Sequence, residues 1–340
     1  MLAAVYHGRN DVRVQEWPEP PRPPRGWVTV KLTWCGICGT DVDEILHGPV
    51  LIPAEPHPVT GRTPPLVMGH EATGIVYAEG DVSGLPVGTR VGLENSVGCG
   101  TCELCRSGES QLCERMAAIG LMADGALAEL ITVPASMCAP LPASIPDQAG
   151  ALAEPLSIAV RAVRRGGDVR GKSVQVFGGG TIGLMVAQLA RLGGARSVVV
   201  REPSAARRSM AADMDLEVAP VDADVTAAPI VLECTGTPEG FRMAVENTSK
   251  HGVTVLVGIH AHPQLVDLRA MLMEERSLVA SLSHSMTHDY LPAIDMLEHG
   301  FDFEPFITDR IPLDDVVSRG FDSLISSPEQ HLKILVDCQT

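Results

Sequence analysis

The sequence predicts an α/β protein, with an irregular β-rich first part followed by a doubly wound parallel sheet. Three observations carry this reading. The chain has 340 residues, enough for two domains of roughly 150 residues that each bury a core. Residues 1–150 are dense in Pro and Gly and hold only short alternating stretches, as in irregular β structure with long loops. From about residue 155, apolar strands and helices alternate at the spacing of βαβ units.

The elements follow in order. Met1–Arg13 alternates apolar and polar residues as a strand does, and so do Trp27–Leu32 and Gly74–Tyr77. The Ala-rich segment Leu156–Val163 reads as a helix, and Ser173–Phe177 as the strand after it. A Gly-rich turn leads to helix Thr181–Leu192, strand Ser197–Val200, helix Ser204–Met214 and strand Ile230–Glu233. Helix Pro238–Asn247 and strand Val253–Ile259 complete the series. The tail from about residue 285 returns to mixed character, with a helix near Tyr290–His299.

Composition narrows the function classes. With 26 basic and 42 acidic residues the net charge is −16, which argues against nucleic acid or an anionic membrane as a partner. No apolar run reaches the roughly 18 residues of a membrane-spanning helix, and the N-terminus lacks a basic-then-apolar signal layout. A mean hydropathy of +0.14 does not fit a disordered chain. A soluble, cytoplasmic protein is expected.

Four of the nine cysteines, Cys99, Cys102, Cys105 and Cys113, lie within 15 residues in a C-x2-C-x2-C-x7-C pattern. In a reducing compartment such density reads as metal binding rather than disulfides. Four thiolates close a tetrahedral zinc shell with no open position, which is a structural site. Gly98, Gly100 and Gly108 allow the tight turns that gather the sulfurs. The usual iron–sulfur spacing is not met, and four unliganded thiols are the plain alternative.

Gly178-Gly179-Gly180-Thr181-Ile182-Gly183 is a G-x-G-x-x-G that follows an apolar strand and opens a helix, the context a dinucleotide site requires. Gly178 would make the tight turn, Gly180 would let pyrophosphate approach, and Gly183 would let helix and strand pack closely. Glu202, 24 residues after Gly178, is placed to bond ribose hydroxyls and repel a 2′-phosphate, which favours NAD. Arg201, Arg207 and Arg208 pull toward NADP, so that cofactor stays open.

Three further segments offer ligands: Cys35-Gly-Ile-Cys38-Gly-Thr40-Asp41, Gly69-His70-Glu71 and Ala153-Glu154-Pro155. Each is weak alone. Together with the cysteine loop and the Gly-rich turn they make a specific set, and the chain resembles the zinc-dependent medium-chain dehydrogenase/reductase family over essentially its whole length. The late stretch Asp302–Leu324, with FITDRIPLDDV and GFDSL, belongs to the match. The insert from His47 to Pro53 and on through His57 to Gly61 looks most like 2,3-butanediol (acetoin) dehydrogenases, with sorbitol and threonine dehydrogenases as further relatives.

The resemblance implies a GroES-like catalytic domain (1–155, completed by 285–340) and a Rossmann domain (156–284), with the active site in the cleft between them. It implies two zincs per chain, the catalytic one held by Cys38, His70 and Glu154. Glu71 stands beside that zinc and either ligates it or exchanges with bound water. Cys35 reads as a packed thiol. Zinc there would act as a Lewis acid on the alcohol, whose hydride passes to the nicotinamide. Thr40 matches the hydroxyl that touches the alcohol, and Thr235, Gly236 and Val257-Gly258-Ile259 match the nicotinamide contacts. Many relatives carry a proton-relaying histidine where this chain has Asp43. An unperturbed carboxylate, with a pKa near 4, is a weak base at neutral pH, so Asp43 is expected to be minor.

The expected activity is NAD-dependent oxidation of a secondary alcohol or vicinal diol, reversible to ketone reduction, in a homodimer or homotetramer. A polyol, amino-alcohol or biosynthetic-intermediate dehydrogenase is the alternative, and a non-catalytic nucleotide-binding relative is a third class. His47, His57, His260, His262, His284 and His288 read as surface or pocket-lining residues.

Overall fold

A computed structural model describes residues 1–224 and 226–339. Residues 225 and 340, which the expected domain spans include, lie outside the described residues. The chain divides into two compact units, Met1–Glu154 with Ser285–Thr340, and Pro155–His284.

In the first unit the strand Trp27–Gly36 is the hub of a seven-stranded sheet. It pairs antiparallel with Glu71–Glu79, Leu130–Pro134 and Lys333–Asp337. Val28, Val30 and Leu32 are completely buried, the side-chain alternation of a strand with one face on the core. They pack with Ile334 and Val336 of the returning C-terminal strand. The N-terminal alternation resolves into a hairpin rather than one strand. Leu2–Gly8 and Asp11–Glu16 pair antiparallel around Asn10, which takes a positive φ of 59°, a conformation Asn tolerates better than most residues.

The second unit is a six-stranded parallel sheet with Glu217–Ala219, Ser197–Arg201, Ser173–Phe177, Ala228–Glu233, Thr248–Leu256 and Ser277–Ala280 side by side. In chain order within the unit this is 3-2-1-4-5-6, the doubly wound dinucleotide-binding order. Its reversal falls between the strands ending at Phe177 and Glu233. Ligands bind beyond the carboxyl ends of strands at such a reversal. The α/β reading therefore holds.

Several boundaries differ from the sequence reading. The fifth strand ends at Leu256, so residues 257–259 form a loop rather than strand. The edge strands Glu217–Ala219 and Ser277–Ala280 carry no clear apolar pattern, because an edge has one solvated side. The helix expected near Tyr290–His299 is a π-helical turn, Met286–Tyr290, running into Leu291–Glu298. Among the described residues no helix is long and apolar enough to cross a membrane.

Candidate active site

Cys38 caps the N-terminus of helix Gly39–His47, and its backbone N–H donates to Asp41 Oδ2 at 3.0 Å. The other oxygen of Asp41 lies 3.5 Å from His70 Nδ1. One fully buried carboxylate thus caps the cysteine segment and stands within ion-pair range of the histidine, though not hydrogen-bonded to it. Burial alone would lower the basicity of His70, but the Asp41 carboxylate and the Cys38 sulfur raise it well above the usual histidine range.

Ligand atoms of Cys38, His70 and Glu71 lie within 4.8 Å of one another. Glu71 Oε1 accepts from Lys333 Nζ at 2.6 Å, while Oε2 is buried with no hydrogen-bond partner among the described residues. Gly36 makes room for that carboxylate, since a Cβ there would fall 2.2 Å from Oε2. A thiol, an imidazole and an unsatisfied carboxylate oxygen at this spacing suit zinc. Glu154 is buried and accepts from Asn95 Nδ2 at 2.7 Å. It stands outside the 4.8 Å trio. Burial, aided by the Glu71 carboxylate, pushes Glu154 up to about 8, a cost that a nearby cation would relieve. Thr40 Oγ1 lies 3.6 Å from Cys38 Sγ.

Cys99, Cys102, Cys105 and Cys113 bring four sulfurs within 4.8 Å of one another. Zn–S bonds of about 2.3 Å fit such a cluster. Backbone N–H groups of Cys99, Cys102, Cys105 and Arg115 donate to sulfurs of this set at 3.3–3.4 Å. Gly98 is pressed against Cys105 Sγ, 2.4 Å from where a Cβ would sit. Hydrogen bonds from Thr101 and backbone amides hold the Cys99 thiol down to about 5, whereas burial and the neighbouring thiols push Cys105 up to about 12. Ionising all four together calls for a cation, as a closed zinc site supplies.

In the second unit Gly178 has a φ of +105°, and a Cβ on Gly183 would meet the Gly178 carbonyl oxygen at 1.9 Å. A Cβ on Gly180 would project into open space. Thr181 and Ile182 form the first turn of helix Thr181–Leu192. Glu202 follows the second strand, with Oε2 accepting from Gly179 N–H at 2.7 Å and Oε1 from Ser204 N–H at 2.8 Å. Gly178, Gly180 and Glu202 border a cavity of about 360 Å³, together with Arg207, Thr235, Thr237 and Gly240.

Residues 24–143 match the family model of the alcohol dehydrogenase GroES-like domain, and residues 181–299 that of the zinc-binding dehydrogenases. The chain is 34% identical to the (R,R)-butanediol dehydrogenase of Neisseria gonorrhoeae, with 99% of each chain covered. The chain belongs to the zinc-binding alcohol dehydrogenase family. It is likewise 32% identical, over 99% of each chain, to the 2-dehydro-3-deoxy-L-galactonate 5-dehydrogenase of Pseudoalteromonas atlantica. Among solved structures, 2R,3R-butanediol dehydrogenase from Bacillus subtilis superposes with a TM-score of 0.91 at 31% identity, again over 99% of each chain.

For a zinc-dependent alcohol dehydrogenase the remaining residues then sort by geometry. Arg201, weighed above as a phosphate ligand, is 2% exposed and committed to the carbonyls of Pro220, Val221 and Ala223. Arg208 is bound to the Glu202 and Pro203 carbonyls. Arg207 lines the cavity described above, as Arg201 also does. Asp43, His47, His262 and His288 are exposed, and the His57 ring accepts from the backbone of its own loop. Cys35 is a buried thiol, kept protonated by its burial.

Sequence reasoning missed Lys333. Its Nζ joins Glu71 to the Ile37 carbonyl, at 2.6 and 2.9 Å. The available signal was a lysine that opens a strand, directly before the apolar run Ile334–Val336. Asp41 stands three residues after the N-cap Cys38 and accepts its backbone N–H, the N3 half of a capping box.

Proposed function

We propose that this enzyme oxidises a secondary alcohol or vicinal diol of the 2,3-butanediol type with NAD and reduces the matching hydroxyketone in reverse. The observation that carries it is the set Cys38, His70 and Glu71, the last two buried and one Glu71 oxygen without a hydrogen-bond partner among the described residues, in a chain that is similar over its full length to butanediol dehydrogenases. Cys38, His70 and Glu154 would hold the catalytic zinc, with Glu71 beside it, and Cys99, Cys102, Cys105 and Cys113 the structural one. Zinc, when bound, supplies Lewis acidity that lowers the pKa of the alcohol hydroxyl, and NAD accepts the hydride.

The chain's own residues do the rest. Asp41 stands in ion-pair range of the His70 ring, Lys333 holds one oxygen of Glu71, and the Thr40 hydroxyl accepts the alcohol proton at Oγ1 while passing its own proton to water or the cofactor ribose hydroxyls. The Gly178–Gly183 turn would seat the pyrophosphate against the helix N-terminus. Glu202 would exchange its backbone partners for ribose hydroxyls, with Arg207 beside it and Thr235, Gly236 and residues 257–259 toward the nicotinamide.

The proposal extends to the assembly and compartment. Cysteines that serve as metal ligands or packed thiols rather than disulfides suit a reducing cytoplasm. Leu265, Leu268, Leu272 and Met273 are each at least 73% exposed near the open edge strand Ser277–Ala280, which supports a homodimer or homotetramer. The test of activity is a panel of diols, hydroxyketones, polyols and amino alcohols read by NADH absorbance. A vicinal diol is expected to give the highest kcat/KM. A polyol or amino alcohol at least tenfold better would replace the diol reading with the alternative.

A further inference from the structure

Glu233 ends the fourth strand of the parallel sheet and is completely buried. Its Oε1 accepts the N–H groups of Thr235 and Gly236, at 2.7 and 3.0 Å, and the Thr235 hydroxyl. Its Oε2 accepts from His260 Nε2 at 3.0 Å. The backbone carbonyl of the same residue accepts from Val257 and Gly258, at 2.9 and 3.0 Å. One residue therefore fastens two loops, 235–237 and 257–260, that belong to neighbouring strands.

The loops touch. A Cβ on Gly236 would lie 2.5 Å from the Ile259 carbonyl oxygen, and one on Gly258 would lie 2.2 Å from the Gly236 nitrogen. His260 is held from its other side by the edge of the buried Phe241 ring, 5.6 Å between centroids at 74°. No requirement of the sheet explains a carboxylate at this place, because backbone pairing already joins the two strands. A buried charge costs several kcal/mol unless fully hydrogen-bonded, and here every bond that compensates it goes to a loop at the sheet's carboxyl end.

We infer that Glu233 and His260 are positioning residues that set the separation of these loops and thereby the grip on the nicotinamide end of the cofactor. The inference rests on the cofactor site proposed above. It requires no contact between either side chain and the cofactor. The pair holds the backbone of Thr235, Gly236, Val257 and Gly258 in a preorganised form, so that binding does not have to order it.

The test compares two ligands of the zinc-loaded enzyme, NADH and ADP-ribose, which shares everything but the nicotinamide. His260→Ala should raise the Kd for NADH about tenfold, the worth of roughly one charge-assisted hydrogen bond, and leave ADP-ribose within about twofold. His260→Gln, whose amide can still donate to Oε2, should recover most of the NADH affinity. Glu233→Gln, isosteric and still an acceptor, gives a second variant for the same comparison and should also lose NADH selectively. Equal weakening of both ligands, or unchanged NADH binding in both variants, would overturn the inference. Wild-type enzyme that binds neither ligand would instead remove the cofactor site on which it stands.

Discussion

Thr40 and Asp43 lie three residues apart on helix Gly39–His47, yet their losses should differ widely. Thr40 Oγ1 is 3.6 Å from Cys38 Sγ, so Thr40→Val removes a hydroxyl beside the expected metal. It should lower kcat at least about 100-fold, the low end of general acid–base contributions. Asp43 is exposed, and Asp43→Asn should leave both kcat and the alkaline limb of the pH–rate profile nearly unmoved. Stopped-flow and steady-state rates across pH check both. Lys333 makes a prediction of the opposite kind. It is 4% exposed and paired with a 1% exposed Glu71, so Lys333→Met leaves a buried carboxylate uncompensated. Such a break costs about 3–5 kcal/mol, and the loss in urea unfolding should be larger in metal-stripped protein than in zinc-loaded protein, where a cation replaces the ammonium. The sequence named Cys38, His70 and Glu71 because each stands in a short pattern. It did not name Lys333, because nothing local marks which strand residue a distant carboxylate will meet.

At the scale of elements, the cysteine loop and the Gly-rich turn are the parts most legible from sequence, since all their functional atoms sit within a few residues of one another. Cys105→Ser or Cys113→Ser should lower zinc content by about one per chain and reduce Tm, because a closed site contributes folding free energy. Cys38→Ser and His70→Ala should abolish turnover and keep the fold. Elemental analysis with circular dichroism separates the two outcomes, and one zinc or none in the unaltered protein would sink the two-site reading. Strand Ser173–Phe177 and helix Thr181–Leu192 fall where the apolar run and the glycines put them. Glu202, bonded to Gly179 and Ser204, stiffens the turn it serves. Glu202→Ala should shift discrimination toward NADP by about 1–3 kcal/mol, the worth of a charged hydrogen-bonding group, as kcat/KM ratios for the two cofactors would show. A higher kcat/KM with NADPH in the unaltered enzyme would instead make Arg207 the governing residue.

At the scale of the molecule, the exposed leucines at 265, 268 and 272 predict self-association. Leu268→Glu with Leu272→Glu should shift the enzyme toward smaller species in light scattering, and a monomeric wild type would remove the oligomer from the proposal. The sequence by itself determined the two kinds of chain region, the cysteine cluster, the Gly-rich turn and the short ligand segments, because each is written within one turn, loop or strand. Tertiary structure alone decided which separate segments share a site. Strand register aligns Leu335 with Gly36 and Gly36 with Glu71, which is how Lys333 reaches a carboxylate 262 residues away. Asp41 meets His70, Arg201 turns inward to backbone carbonyls, and Glu233 gathers two loops in the same way. Periodicity reports which face of an element is buried, whereas the partner met on that face depends on register and packing between elements far apart in the chain.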